Sequence, residues 1–226
     1  MNIVIQKEDA REVIEKHFGV EIRRKLPKII YDAYFWSHRI IENTSMLNWI
    51  RGKSLLPNIK NIAVEFFIVQ EIKNGNLPFQ WRVNYTTNKS ASFIEIFNDS
   101  ILLHVNQVAN KKKIARPAFC RDQYIQSFQS YIEFQPEIST FDQVNKKPQY
   151  FQLNHGYQSI EPLFISLGIP GDNRKWIDNI QLLNELVSIE GRLPKSKVEN
   201  IEGFSLEDFQ QFADEVDSND IKGFGS

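Results

Sequence analysis

The sequence predicts an α+β protein: an N-terminal helical layer packed on a mostly antiparallel β-sheet, then a C-terminal strand–helix region and a terminal amphipathic helix. Three observations carry this expectation. Residues 79–108 alternate apolar and polar, with breaks at Thr87–Ser90 and Asn98–Ser100. That is the pattern of three strands joined by short turns, an antiparallel meander with one face to be covered. Before it, apolar residues recur at spacings of three and four, the period of a helix. The same helical period returns over residues 205–216.

Lys7 to Phe18 reads as the first helix, with Ala10, Val13, Ile14 and Phe18 on one face and Gly19 placed to stop it. Pro27 is a first-turn residue for the second helix. Ile29, Ile30, Ala33, Tyr34, Trp36, Ile40 and Ile41 then cover two adjoining faces, so this helix is expected to pack on more than one side. Its aromatics Tyr31, Tyr34, Phe35 and Trp36 are accordingly core; the alternative is base stacking beside Arg23, Arg24, Lys25, Lys28 and Arg39. Met46, Leu47, Trp49 and Ile50 begin a short helix that Gly52 ends. Pro57 opens another, closed by Asn74–Asn76.

The strands follow. Phe79, Trp81, Val83 and Tyr85 form the apolar face of the first, and Ile101, Leu103 and Val105 that of the third. Asp122 to Phe134 has the spacing of a helix and the residue types of a strand, and is read as a helix with a strand as the alternative. Tyr150–Asn154 and Leu163–Leu167 read as two more strands around a loop at His155–Gln158. Gly168–Asn173 leads into a helix carrying Trp176, Ile177, Ile180, Leu183 and Leu186, and residues 188–203 are irregular. Ser205 caps the last helix with Asp208 as its capping-box partner, and residues 217–226 fray. The chain divides into residues 1–134 (helical layer and meander), 135–148 (linker or excursion, with two prolines) and 149–226; the three also fit one single domain.

Composition narrows the class. With 42% hydrophobic and 24% charged residues, the 226-residue chain can bury a core and is not disordered. One cysteine, Cys120, excludes an internal disulfide and a multi-cysteine zinc site, and fits a reducing compartment. No apolar run reaches the roughly 20 residues that span a bilayer. Met1–Gln6 run into charged sequence with no secretory signal. The expectation is a soluble, cytoplasmic protein without a membrane partner.

Charge is unevenly distributed. Residues 1–121 hold 19 Lys and Arg against 11 Asp and Glu, net +8; residues 122–226 hold 8 against 17, net −9. Such a split accompanies polyanion binding, or two halves that neutralise each other. The densest basic stretch, Asn110–Arg121, has five cations and no acid. Lys111, Lys112, Lys113, Arg116 and Arg121 there are candidate phosphate contacts, the alternative being a solvated surface loop. A helical block followed by a hairpin resembles the layout of a winged helix-turn-helix, which implies Arg82 and Lys89 on the wing as further nucleic-acid contacts.

Other constellations are weaker. His155 beside Gly156 lacks a nucleophile motif and reads as a hydrogen-bonding loop histidine. The Gly168–Lys175 turn lacks the spacing of a nucleotide-binding fingerprint. A metal-dependent nuclease needs two or three carboxylates converging on a strand pair. Glu65, Glu95, Asp99 and His104 are the residues to test for it, although no Glu-x-Lys strand follows. Cys120 reads as a buried, inert thiol.

The leading expectation is a non-enzymatic, nucleic-acid-associated regulatory or accessory protein, binding DNA or RNA through its basic half. It uses no cofactor and no metal, and has no catalytic residues. One alternative is a protein-interaction module docking a partner through Leu206, Phe209, Phe212 and Val216. The other is a metal-dependent nuclease.

Overall fold

Residues 10–73 are mostly helical because their apolar positions line one side of a 3.6-residue period. The computed structural model describes residues 9–86, 89, 91–125, 148–156 and 159–194, with 211 and 214 beyond them. Helix α1 (Ala10–His17) starts at Asp9, whose carboxylate accepts the Arg11 N–H at 2.8 Å. Helix α2 (Val20–Asn43) packs on α4 (Leu56–Lys73), with the one-turn α3 (Ile50–Lys53) between them.

Two helix boundaries differ from expectation. Pro27 lies buried inside α2, about two turns after its start, rather than in its first turn. A proline there forfeits one hydrogen bond. The turns before it are held by Arg23, which donates to the Phe18 carbonyl at 2.6 Å and to the Glu185 carboxylate at 2.7 Å. Gly52 lies within α3 instead of ending it, because a Cβ there would stand 2.3 Å from the Leu47 carbonyl oxygen.

Six strands form one sheet in chain order: β1 (Gln80–Tyr85), β2 (Ser92–Phe97), β3 (Ile101–Gln107), β4 (Gln149–His155), β5 (Ile165–Pro170) and β6 (Trp176–Gln181). Neighbours are antiparallel except β3 and β4, which run parallel from Ile101↔Gln149 to Gln107↔His155. A parallel pair needs a crossover, and the chain between them includes the short helix α5 (Phe119–Ile125). The β1–β2 hairpin is thus one edge of a wide sheet rather than a free-standing wing.

The segment expected to be helical from Trp176 is first a strand; helix α6 (Leu182–Glu190) begins only at Leu182. Gly171 donates to the Lys175 carbonyl at 2.7 Å and turns the chain back, so that Ile180 pairs with Leu167 and both are buried. The apparent helical spacing arises because buried Ile180 on the strand is followed by Leu182, Leu183 and Leu186 on the helix. The helix runs into the stretch expected to be irregular and ends at Gly191, whose φ of 71° suits glycine. His155, expected in a loop, is the last residue of β4 and fully buried.

Helices α1, α2, α4 and α6 lie on one face of the sheet, over Ile94, Ile96, Ile101, Leu103, Val105, Phe151, Leu153, Leu167 and Ile180, as one continuous core. Tyr31 and Tyr34 are buried in it, as expected, and Trp36 packs against it. Among the described residues no helix is long and apolar enough to cross a membrane. Of the expected 122–134 helix, residues beyond 125 lie outside the described ones. So does the 135–148 segment up to residue 147, and all of the 205–216 helix except Gln211 and Asp214, which are helical and exposed.

Candidate functional site

Strand alternation puts every second side chain on the face away from the helices, and here that face is polar yet buried. Register aligns Arg82, Glu95, His104 and Gln152 in a row across β1 to β4. A second row runs Asn106, Asn154, Ser166, Gln181 across β3 to β6. Glu95, Gln152, Asn154 and Ser166 are fully buried, and His104 and Asn106 nearly so.

Burial of such groups is tolerable only if they are hydrogen-bonded, and they are. Arg82 Nε donates to Glu95 Oε2 at 2.7 Å, and Glu95 Oε1 lies 3.2 Å from His104 Nε2. His104 Nδ1 is 3.0 Å from the Tyr150 hydroxyl, which accepts from Gln152 Nε2 at 3.2 Å. Gln152 Oε1 accepts the Ala115 N–H at 2.9 Å, and Asn106 Nδ2 donates to Asn154 Oδ1 at 3.1 Å. Burial would raise the Glu95 carboxyl, but hydrogen bonds from His104 and Arg82 more than offset it and hold it below the ordinary carboxylate range. Burial pushes the Tyr150 hydroxyl well up, so it stays protonated in this network.

The sheet opens beside these rows. Strands β2 and β3 pair only at Glu95↔His104, Ile96↔Leu103 and Phe97↔Leu102. Beyond that point Ser92, Phe93 and Ile94 stay with β1, while Val105, Asn106 and Gln107 stay with β4. The strands part around a cleft of about 650 Å³, lined also by Asn58, Asn61, Ile62 and Glu65 of α4 and by Ala115, Arg116 and Arg121. Gln107 Nε2 donates to the Pro57 carbonyl at 2.8 Å, tying β3 to the start of α4.

Among the described lining residues Glu65 is the one carboxylate. Burial raises its carboxyl to about 7, against a hydrogen bond from Asn61 Nδ2 at 3.1 Å. Glu95, expected as a second metal-binding carboxylate, is instead held by Arg82 and His104. Asp99 sits exposed in the turn between β2 and β3. Among the described residues no three His, Cys, Asp or Glu side chains lie close enough to share a metal ion.

The basic stretch reaches this cleft only through Ala115, Arg116 and Arg121; Lys111, whose carbonyl accepts from Trp176 Nε1 at 3.3 Å, lies toward β6. Lys111, Lys112 and Lys113 are exposed, Ile114 and Ala115 are buried as an anchor, and Arg116 is exposed. Asn154 Nδ2 holds the Lys113 carbonyl at 3.3 Å. Arg121 donates from Nε and Nη2 to the Arg116 carbonyl at 3.0 and 2.8 Å, and its Nη1 is 3.5 Å from Asn106 Oδ1. Arg116 and Arg121 thus meet at one site; Arg82 lies at the far end of the polar row and Lys89 in the β1–β2 turn, neither lining the cleft. Leu206, Phe209, Phe212 and Val216 lie outside the described residues. Cys120 is buried.

Sequence reasoning missed Asn58, Asn61, Phe93 and Asn106 as site residues. The spacing 58, 61, 62, 65 on one helix face was available as a signal, since it puts Asn58, Asn61 and Glu65 on adjacent turns. No protein-family model, no curated protein and no solved structure matches this chain.

Proposed function

We propose that the protein is a non-enzymatic nucleic-acid-binding protein, regulatory or accessory in role, that holds a single strand of DNA or RNA at the cleft between β2 and β3. One observation carries this reading: the charge balance at the cleft. Arg116 and Arg121 line the cleft with one carboxylate among the described lining residues, Glu65, whose carboxyl burial raises to about 7. A phosphate there meets the fork of Arg116 and the remaining N–H groups of Arg121, with little opposing charge. Lys111, Lys112 and Lys113 extend the positive surface along an anchored loop, so a sugar–phosphate backbone passing them meets cations whose main chain is already ordered.

The nuclease alternative has less support, because a hydrolytic metal site needs several converging ligands and the described residues offer no such cluster. The test is fluorescence anisotropy of a labelled single-stranded oligonucleotide across a salt series, with and without magnesium. Binding is expected to weaken linearly in log salt. Replacing Lys111, Lys112, Lys113 and Arg116 with Ser is expected to flatten that slope by about 3 units. An unchanged slope would remove the loop from the interface, and strand cleavage in magnesium would overturn the non-enzymatic reading.

A further inference from the structure

We infer that the cleft is a pocket for one unpaired nucleotide, with Arg116 and Arg121 at its phosphate and the Asn58–Asn61–Glu65 row of α4 and Phe93 of β2 lining it from the two faces of the sheet. This rests on the nucleic-acid reading above and goes further by naming what enters the cleft. The size fits: about 650 Å³ is within the ~300–1,000 Å³ of pockets that engulf small ligands. A duplex cannot pass between two strands of a sheet, whereas a base turned out of a single strand can.

The two ends of the cleft differ in chemistry as a nucleotide does. At the mouth, Arg121 spends two donors on the Arg116 backbone, and this holds the loop so that Arg116 lines the cleft. The Arg116 guanidinium has no partner among the described residues. On the helix side, Asn58, Asn61 and Glu65 present amide and carboxyl groups from adjacent turns of one face. Asn61 Nδ2 is engaged with Glu65 Oε1, which orients both groups and leaves the Asn61 carbonyl and the second Glu65 oxygen for a ligand. A carboxyl half protonated at neutral pH both donates and accepts, as the edge of a base requires.

On the other face of the sheet the lining is aromatic. Phe93 is half-buried on the splayed end of β2, with its ring edge-on to His104 at 5.2 Å between centroids. His104 is itself fixed by Glu95 and Tyr150. A ring held this firmly is a stacking platform, and stacking serves any base because every base has a π face. Ile62 adds apolar surface on the helix side. The buried polar row fixes β2 to β3 at Glu95 and His104, the last pair before the strands part.

The experiment is calorimetric titration of the full chain with the four ribonucleoside 5′-monophosphates, ribose 5-phosphate and inorganic phosphate. The nucleotides are expected to bind roughly ten-fold or more tightly than ribose 5-phosphate. Arg116→Ala should weaken every phosphorylated ligand. Asn61→Ala and Glu65→Gln should change the preference among bases and leave ribose 5-phosphate unaffected. Phe93→Leu keeps the apolar wall but removes the ring, and should reduce all nucleotides to the affinity of ribose 5-phosphate; thermal melts of each variant verify folding. Equal binding of nucleotides and ribose 5-phosphate would overturn the base pocket and leave the phosphate contacts standing. Oligonucleotide binding without nucleotide binding would overturn the pocket while sparing the basic loop. Binding of neither would overturn both readings.

Discussion

Lys60 sits on α4 with its ammonium in the interior, 1% exposed. It donates to the Ser159 carbonyl and lies 4.6 Å above the centroid of the Tyr34 ring. Tyr34 in turn places its hydroxyl 2.9 Å from Nδ1 of the buried His155. Burial lowers Lys60 to about 8 and His155 to about 4, so at neutral pH the histidine is neutral and the lysine still mostly charged. For Lys60 the sign is clear: between about 8 and the ordinary value of 10.5 the unfolded chain binds more protons than the folded one. The folded state is therefore penalised at low pH and gains stability as pH rises through that window. Lys60→Met removes the titration, losing one hydrogen bond and the ring contact in exchange. Urea melts are expected to show the variant stabler by about 1 kcal/mol at neutral pH. Its advantage should shrink by pH 9.5; a constant difference across pH would mean Lys60 does not titrate in this window.

At the scale of elements, the β5–β6 hairpin is decided by how closely its two strands meet. A Cβ on Gly168 would stand 2.4 Å from the Asp178 carbonyl oxygen and 2.6 Å from Asn179 Cβ. Both belong to the paired strand, so neither can swing aside. Gly168→Ala is expected to cost about 3 kcal/mol, read from urea midpoints. Gly19→Ala, with nothing within 4 Å of its new methyl, is the control and should cost no more than about 1 kcal/mol, the difference between Gly and Ala as the N-cap of α2. Similar losses for the two would mean that β6 does not lie against Gly168. Trp81 shows the limit of alternation at the same scale. It shares the apolar face of β1, but β1 is an edge strand and the indole is only half-buried at the rim of the core. Lys73 covers it, with Nζ 5.6 Å from the ring centroid.

Over the whole molecule the basic and acidic halves meet. Arg11 pairs with Asp178, Arg23 with Glu185, and Arg24 and Lys28 with Glu190, joining the first helices to β6 and α6. Three acids of the second half thus meet four cations of the first within the fold. Arg23 is 6% exposed, so its pair is the buried one. Arg23→Ala should cost about 3–5 kcal/mol, because it leaves Glu185 and the Phe18 carbonyl without their donor. Arg23→Met with Glu185→Leu should recover most of that loss. A double variant as unstable as the single one would show that packing of the arginine stem, not its charge, holds α2 to α6.

The sequence by itself determined the helical layer, the meander of β1 to β3 and the basic loop, since period, turn residues and charge are local properties of the chain. Alternation also placed His104 and Asn106, and Gln152 and Asn154, on the second side of their strands. It could not tell that this side is covered, because burial depends on residues distant in sequence, such as Ala115 against Gln152. The same limit turned β6 into an expected helix: one strand residue and the helix after it mimicked a single helical face. The cleft belongs wholly to the tertiary structure. It exists because β2 and β3 keep only three pairs before each follows its other neighbour, and a strand's choice between two neighbours is a competition between long-range pairings that no local pattern encodes.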